Sequence, residues 1–150
     1  MASKPSFAAL VWAALVISTA TSRAQESRAN DHLEAATPTE VSALQVIARR
    51  TNAYNNHDIE AFLATYDENV RIYEYPDKLL GEGTDRMRRI FGPQFAENDG
   101  RIVVHAQHAL ENTVVSDETV TFYGNTEHNI GIYTVRDGLI VEVRLIEPAE

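Results

Sequence analysis

The run Tyr73-Glu74-Tyr75-Pro76 sets two phenols and a carboxylate side by side. A carboxylate in apolar surroundings can act as a general base because desolvation raises its proton affinity, and a phenol can donate to the oxyanion that forms. Glu74 and Tyr75 are therefore candidate catalytic groups, with Tyr73 as a candidate ligand contact. Strand alternation sends Glu74 to the face opposite Tyr73 and Tyr75 unless a bulge re-aims it, and a solvated outer-face carboxylate is the competing reading. Five histidines also invite attention. His105 and His108 differ by three along an extended run, so their side chains leave opposite faces and cannot form a paired ligand set. No HExxH or other tight grouping of imidazole and carboxylate occurs, and no metal site is expected. An inward His105, His108 or His128 beside a tyrosine would be a proton shuttle near neutral pH, and His105 joins the catalytic candidates on that ground. A hydrogen-bonded core or rim histidine is the alternative. There is no GxSxG elbow, no glycine-rich phosphate loop after a strand and no dinucleotide fingerprint, so covalent and nucleotide-dependent chemistry drop away and no cofactor is expected.

These groups act only if other elements turn them toward a common space. Thr37-Pro38-Thr39-Glu40 predicts a helix start, with a capping threonine, a proline at the first helical position and a following glutamate. Val41, Leu44, Ile47, Ala48, Thr51 and Tyr54 then recur at helical spacing until Asn55-Asn56. Asp58 is placed to cap a second, short helix with Ile59, Phe62, Leu63 and Tyr66 inward. Val70 to Tyr75 is a β-branched and aromatic strand that Pro76 ends, because proline cannot donate to a ladder. Gly81 and Gly83 predict a loop, and Thr84 is the expected cap of a third helix bent at Gly92-Pro93. Arg101 to Val115 reads as one long curved strand, Ser116-Asp117-Glu118 as a break, and Thr119 to Thr126 and His128 to Val135 as further strands. Asp137-Gly138 is a strong hairpin signal before a last strand, Leu139 to Ile146.

Composition narrows the options. The first 24 residues carry Lys4, an apolar run from Phe7 to Ala20 and the small-x-small sequence Ser22-Arg23-Ala24, the pattern of a signal peptide cleaved after Ala24. The apolar run is too short to cross a bilayer, and no later segment is apolar enough to span one. Secretion or a periplasmic location is therefore expected, with residues 25–36 as a polar leader and 37–150 as one domain. The net charge of −9 repels phosphate backbones, so nucleic-acid binding is not expected. With no cysteine, disulfides and thiolate chemistry are excluded together.

The stretch AYNNHDIEAFLATYDENVRIYEYP, taken with YTVRDGLIVEVRLI near the end, resembles the NTF2-like superfamily, and within it SnoaL-like and steroid-isomerase-like proteins, over about Thr39 to Glu147. Helices first and sheet last agree with it. The resemblance implies an α+β, cystatin-like cone in which a curved antiparallel sheet wraps around N-terminal helices and encloses a ligand cavity. It also implies a homodimer through the outer sheet face. In the isomerase branch an aspartate precedes the matching proline, a tyrosine stands on the first helix and a second acid on the penultimate strand; here those positions hold Tyr75, Arg50 and about Gly131. The cyclase branch has a histidine and an aspartate on the last strand, where this chain reads Val143-Arg144-Leu145. Arg50 is a candidate anion contact or a solvated helix cation. Tyr54, Tyr133, Val143 and Leu145 are the expected ligand contacts, or else simple core filling. The expected function is binding of a small hydrophobic molecule; the alternative is a cofactor-independent isomerase, cyclase or dehydratase-like enzyme acting on a ketosteroid- or polyketide-like substrate.

Overall fold

The computed structural model describes residues 42–146. The expected signal peptide, the leader and the helix start at Thr37 to Glu40 lie outside the described residues. Helix α1 spans Ala43–Asn55 and is opened by Ser42, whose hydroxyl accepts from Gln45 N at 3.3 Å while the Gln45 side chain accepts from Ser42 N at 2.9 Å. This reciprocal pair satisfies donors that a helix start leaves open. Ala43, Val46, Ile47, Arg50, Ala53 and Tyr54 are buried at helical spacing, so the stripe of α1 that faces the core carries an arginine with it. Asp58 caps α2, Ile59–Leu63, by accepting from Ala61 N at 2.9 Å.

Six strands follow: β1 (Tyr66–Glu74), β2 (Lys78–Glu82), β3 (Arg101–Leu110), β4 (Thr113–Phe122), β5 (Asn125–Arg136) and β6 (Leu139–Ile146), with helix α3 (Thr84–Ala96) between β2 and β3. They form one sheet in the order β2-β1-β6-β5-β4-β3. Neighbours are antiparallel except β1 and β6, which run parallel. Register shifts at Ile72/Tyr73, Val104/Ala106 and Thr134/Val135 bend the strands, and the sheet curls over the helices. Along β4 every second residue is buried: Val114, Ser116, Glu118, Val120 and Phe122. Opposite them the rings of Tyr54, Phe62, Tyr66, Phe91 and Phe95 pack mostly edge-to-face, with Phe62 at the centre. The α+β cone expected from the order of elements is the observed architecture.

Local details differ from the sequence reading. Gly83, with φ of 84°, is the N-cap of α3 and makes no side-chain cap bond, so Thr84 is the first helical residue and not the cap. The segment read as a loop before α3 contains β2, which pairs with β1 from Arg71 opposite Glu82 to Glu74 opposite Lys78. The run Arg101 to Val115 is not one strand, because the chain reverses at Glu111-Asn112, where Glu111 takes φ of 53° with no glycine to mark the turn. Ser116-Asp117-Glu118 does not break the sheet; it lies inside β4 and pairs with β3 on one side and β5 on the other. The reversal expected at Asp137-Gly138 is present, with φ of 52° and 76°, the pair of positive values that a type I′ turn needs.

Candidate functional site

Two periodicities converge under the curl of the sheet. The helical spacing of α1 turns Arg50 inward between Val46/Ile47 and Tyr54, and the alternation of β4 turns Glu118 inward between Ser116 and Val120. Glu118 is fully buried and Arg50 is 7% exposed. Arg50 Nη1 donates to Glu118 Oε2 at 3.0 Å and to Oε1 at 3.2 Å, and Arg50 Nε donates to the Tyr66 hydroxyl at 3.1 Å. Ser116 Oγ donates to Glu118 Oε1 at 2.7 Å and accepts from Gln107 Nε2 at 2.9 Å. The guanidinium also lies 5.0 Å from the centre of the Tyr133 ring, within cation–π range. A charge pair this far from water persists because its lone pairs and protons are taken up by neighbours.

Arg50 also lines a cavity of about 40 Å³, together with Tyr54, Tyr66, Gln94 and Tyr133. The rest of the wall is apolar and includes Ile72, Met87, Phe91, Val143 and Leu145. At ~10–15 Å³ per water, the space has room for about three or four waters. Gln94 Nε2 donates to Tyr54 OH at 2.5 Å, so the single phenolic proton of Tyr54 stays available to donate; the same holds for Tyr66, whose oxygen accepts from Arg50.

Burial fixes the protonation of these groups. Burial pushes the Tyr54 phenol up to about 12, against a smaller downward pull from Gln94 and Arg50. Burial likewise raises Tyr66 and carries Tyr133 well above the ordinary phenol value, with Arg50 opposing in both cases. For Arg50, burial works to lower the guanidinium, but Glu118 and the two phenolic oxygens outweigh it and hold it well above its usual value. All three phenols are donors at neutral pH, and Arg50 stays charged.

Five of the residues singled out from the sequence, Arg50, Tyr54, Tyr133, Val143 and Leu145, meet on this cavity. The other four do not line it. Tyr73 stands on the far side of the sheet, its ring 4.6 Å from the Arg144 guanidinium and 5.9 Å from that of Arg71. Glu74 sits at the β1–β2 hairpin and pairs with Lys78 at 2.6 Å. Tyr75 lies beyond the end of β1 and is 54% exposed. His105 faces outward at the β3 bulge, where its Nε2 lies 2.7 Å from Thr119 Oγ1 and its ring stacks on that of His128 at 5.3 Å. Glu74 and Tyr75 miss the cavity because β1 ends at its rim, and His105 misses it because alternation from the buried Ile102 sets it on the outer face with Val103 and Thr119. Glu118 and Ser116 escaped the sequence reading. Continuing the period of two from Val114 through Phe122 would have placed both inside. Among the described residues no group of three or more His, Asp or Glu gathers in a way that could hold a metal ion.

The family model described as the SnoaL-like domain matches residues 47–143. A comparison with curated proteins finds no match. Solved structures of similar fold include an NTF2-like protein of unknown function from Cytophaga hutchinsonii, 19% identical with a TM-score of 0.62, covering 73% of this chain and 92% of that one. A cystatin-fold protein from Novosphingobium aromaticivorans is 16% identical with a TM-score of 0.65, covering 72% and 100%. An LEH-like epoxide hydrolase from M. tuberculosis is 16% identical with a TM-score of 0.59, covering 69% and 80%. At these identities the likeness is one of fold.

Proposed function

The chain belongs to the SnoaL-like domain family, and from that premise we propose that it binds a small, largely apolar molecule in the cavity beside Arg50. One observation carries this reading. The described wall offers hydrogen-bond donors, Arg50 and the Tyr54 and Tyr66 phenols, set among apolar side chains, but it includes no carboxylate and no imidazole. A reaction that starts by removing a proton needs a base within ~2.6–3.2 Å of the substrate. Glu118, which does not line the cavity, has both oxygens engaged by Arg50 Nη1 and one also by Ser116. A site with donors and no facing base holds and orients a ligand better than it transforms one.

The cavity volume of about 40 Å³ is far below the ~300–1,000 Å³ of a drug-sized site. The ligand is therefore small, or the Met87 and Phe91 side chains of α3 give way to it. Binding to the folded state alone raises the unfolding midpoint by mass action. The test is a thermal-unfolding series with acetone, cyclopentanone and acetophenone. A saturable rise of the midpoint in the natural protein, lost in the cavity-filling variant Val143→Phe, is expected. No rise with any of the three, or an equal rise in Val143→Phe, contradicts the reading.

Export after cleavage at Ala24 and pairing of two copies through the outer sheet face belong to the same proposal. Export rests on the pattern of residues 1–24. Pairing is supported by Val103, Leu110 and Val115, which are exposed on the outward side of β3 and β4. The mass of the exported chain and its light-scattering mass in solution test the two points separately.

A further inference from the structure

We infer that Glu118 sets the specificity of the cavity: by cancelling the charge of Arg50 it makes the site select uncharged oxygen acceptors, such as ketones, aldehydes or esters, and reject carboxylates and other anions. The inference rests on the binding reading above and names the ligand class of that same site.

A lone arginine on an apolar wall attracts anions. Arg50 is not alone, because one nitrogen, Nη1, lies 3.0 and 3.2 Å from the two oxygens of a fully buried carboxylate. An anion entering the cavity meets a pair of zero net charge, with Glu118 repelling at close range. It has also lost its water, and a buried ion without a counter-charge is strongly unfavourable. A neutral oxygen loses far less hydration and meets only donors. Arg50 uses Nε for Tyr66 and Nη1 for Glu118, so among the described residues its Nη2 protons are left for a guest. The Tyr54 and Tyr66 oxygens each accept a bond, so their own protons are also free to be given. The acceptor atoms of Glu118 are taken up by Arg50 and Ser116, which leaves little for a ligand that must donate. The site thus matches an acceptor better than a donor, and a neutral acceptor better than a charged one.

The test uses two matched pairs in which a methyl group replaces an oxyanion: acetophenone against benzoate, and acetone against acetate. Affinities are read by NMR shift titration of the full folded domain at pH 7. In the natural protein the ketone of each pair is expected to bind at least tenfold more tightly than the carboxylate. In Glu118→Gln, which leaves Arg50 uncompensated, the preference is expected to reverse. Equal or tighter binding of the carboxylates to the natural protein overturns the inference and leaves the binding reading standing. Failure of all four compounds to bind removes the ligand site itself, and the inference with it. A Glu118→Gln protein that folds but keeps the ketone preference also overturns it. If that variant does not fold, the ratio in the natural protein still decides.

Discussion

Arg50 and Glu118 are 68 residues apart in the chain and meet at 3.0 Å in the interior, one contributed by the first described helix and the other by the fourth strand. The contact ties α1 to the concave face of the sheet beside the cavity that Arg50 lines. Stability and binding therefore share the same two side chains.

Truncating either partner leaves the other charged and buried. Glu118→Ala and Arg50→Ala are each expected to lower stability by about 3–5 kcal/mol, and the double variant Arg50→Met/Glu118→Leu by less than either single change, because removing both charges leaves none unpaired. Urea unfolding of the four proteins checks this. A double variant as unstable as the sum of the single changes would contradict it.

Leu145 is 1% exposed on β6 and lines the cavity. Leu145→Asp is expected to destabilise the domain by several kcal/mol, about what burying an uncompensated charge costs. Thermal unfolding measures it. An unchanged midpoint would mean that β6 presents this side chain to water.

The ion pair of Glu74 with Lys78 joins side chains that are 29% and 69% exposed. Exposed pairs contribute little, so Glu74→Gln is expected to change stability by no more than about 1 kcal/mol. His105→Ala is likewise expected to leave ligand affinity unchanged, since its ring lies against Thr119 and His128 outside the cavity wall. Loss of binding in either variant would place the site elsewhere.

Tyr54 gives a pH signature at the alkaline end. Its phenol is raised by burial from 10.0 to about 12 in the fold, so above pH 10 the unfolded chain loses this proton before the folded one does. The stabilising contribution is fully present below pH 10 and is lost as pH rises toward 12, by about 2–3 kcal/mol in all. Tyr66 and Tyr133 shift in the same direction and steepen the fall. Urea midpoints between pH 8 and 11.5 follow it, and Tyr54→Phe is expected to flatten the decline. A decline of the same slope in that variant would show that Tyr54 is not its source.

Much of this was legible in the chain before any coordinates. The Asp58 cap and the Asp137-Gly138 reversal each have a local physical cause, and each stands where local reasoning puts it. The inward face of α1 does not: of the expected stripe Ile47 and Tyr54 are buried, whereas Leu44 and Ala48 are exposed and Ala43, Val46, Arg50 and Ala53 face the core instead. The Arg50–Glu118 pair was not legible, because neither residue announces burial alone. Ser116-Asp117-Glu118 has the composition of a turn, and only the long-range partner makes an inward glutamate affordable. The same reason misdirected attention to Glu74 and His105. Both residue types are apt for chemistry, but a strand end and the phase of β3's alternation decide where they point, and neither is a property of the residue itself.

The most direct measurement follows the side-chain NMR signals of Arg50 together with the methyl signals of Val143 and Leu145 while acetophenone is added. Saturable shifts of all three with one common dissociation constant are the expected result. Shifts confined to residues outside the cavity, or none at concentrations up to the ligand's solubility, would contradict the central claim that this chain holds a small neutral molecule against Arg50.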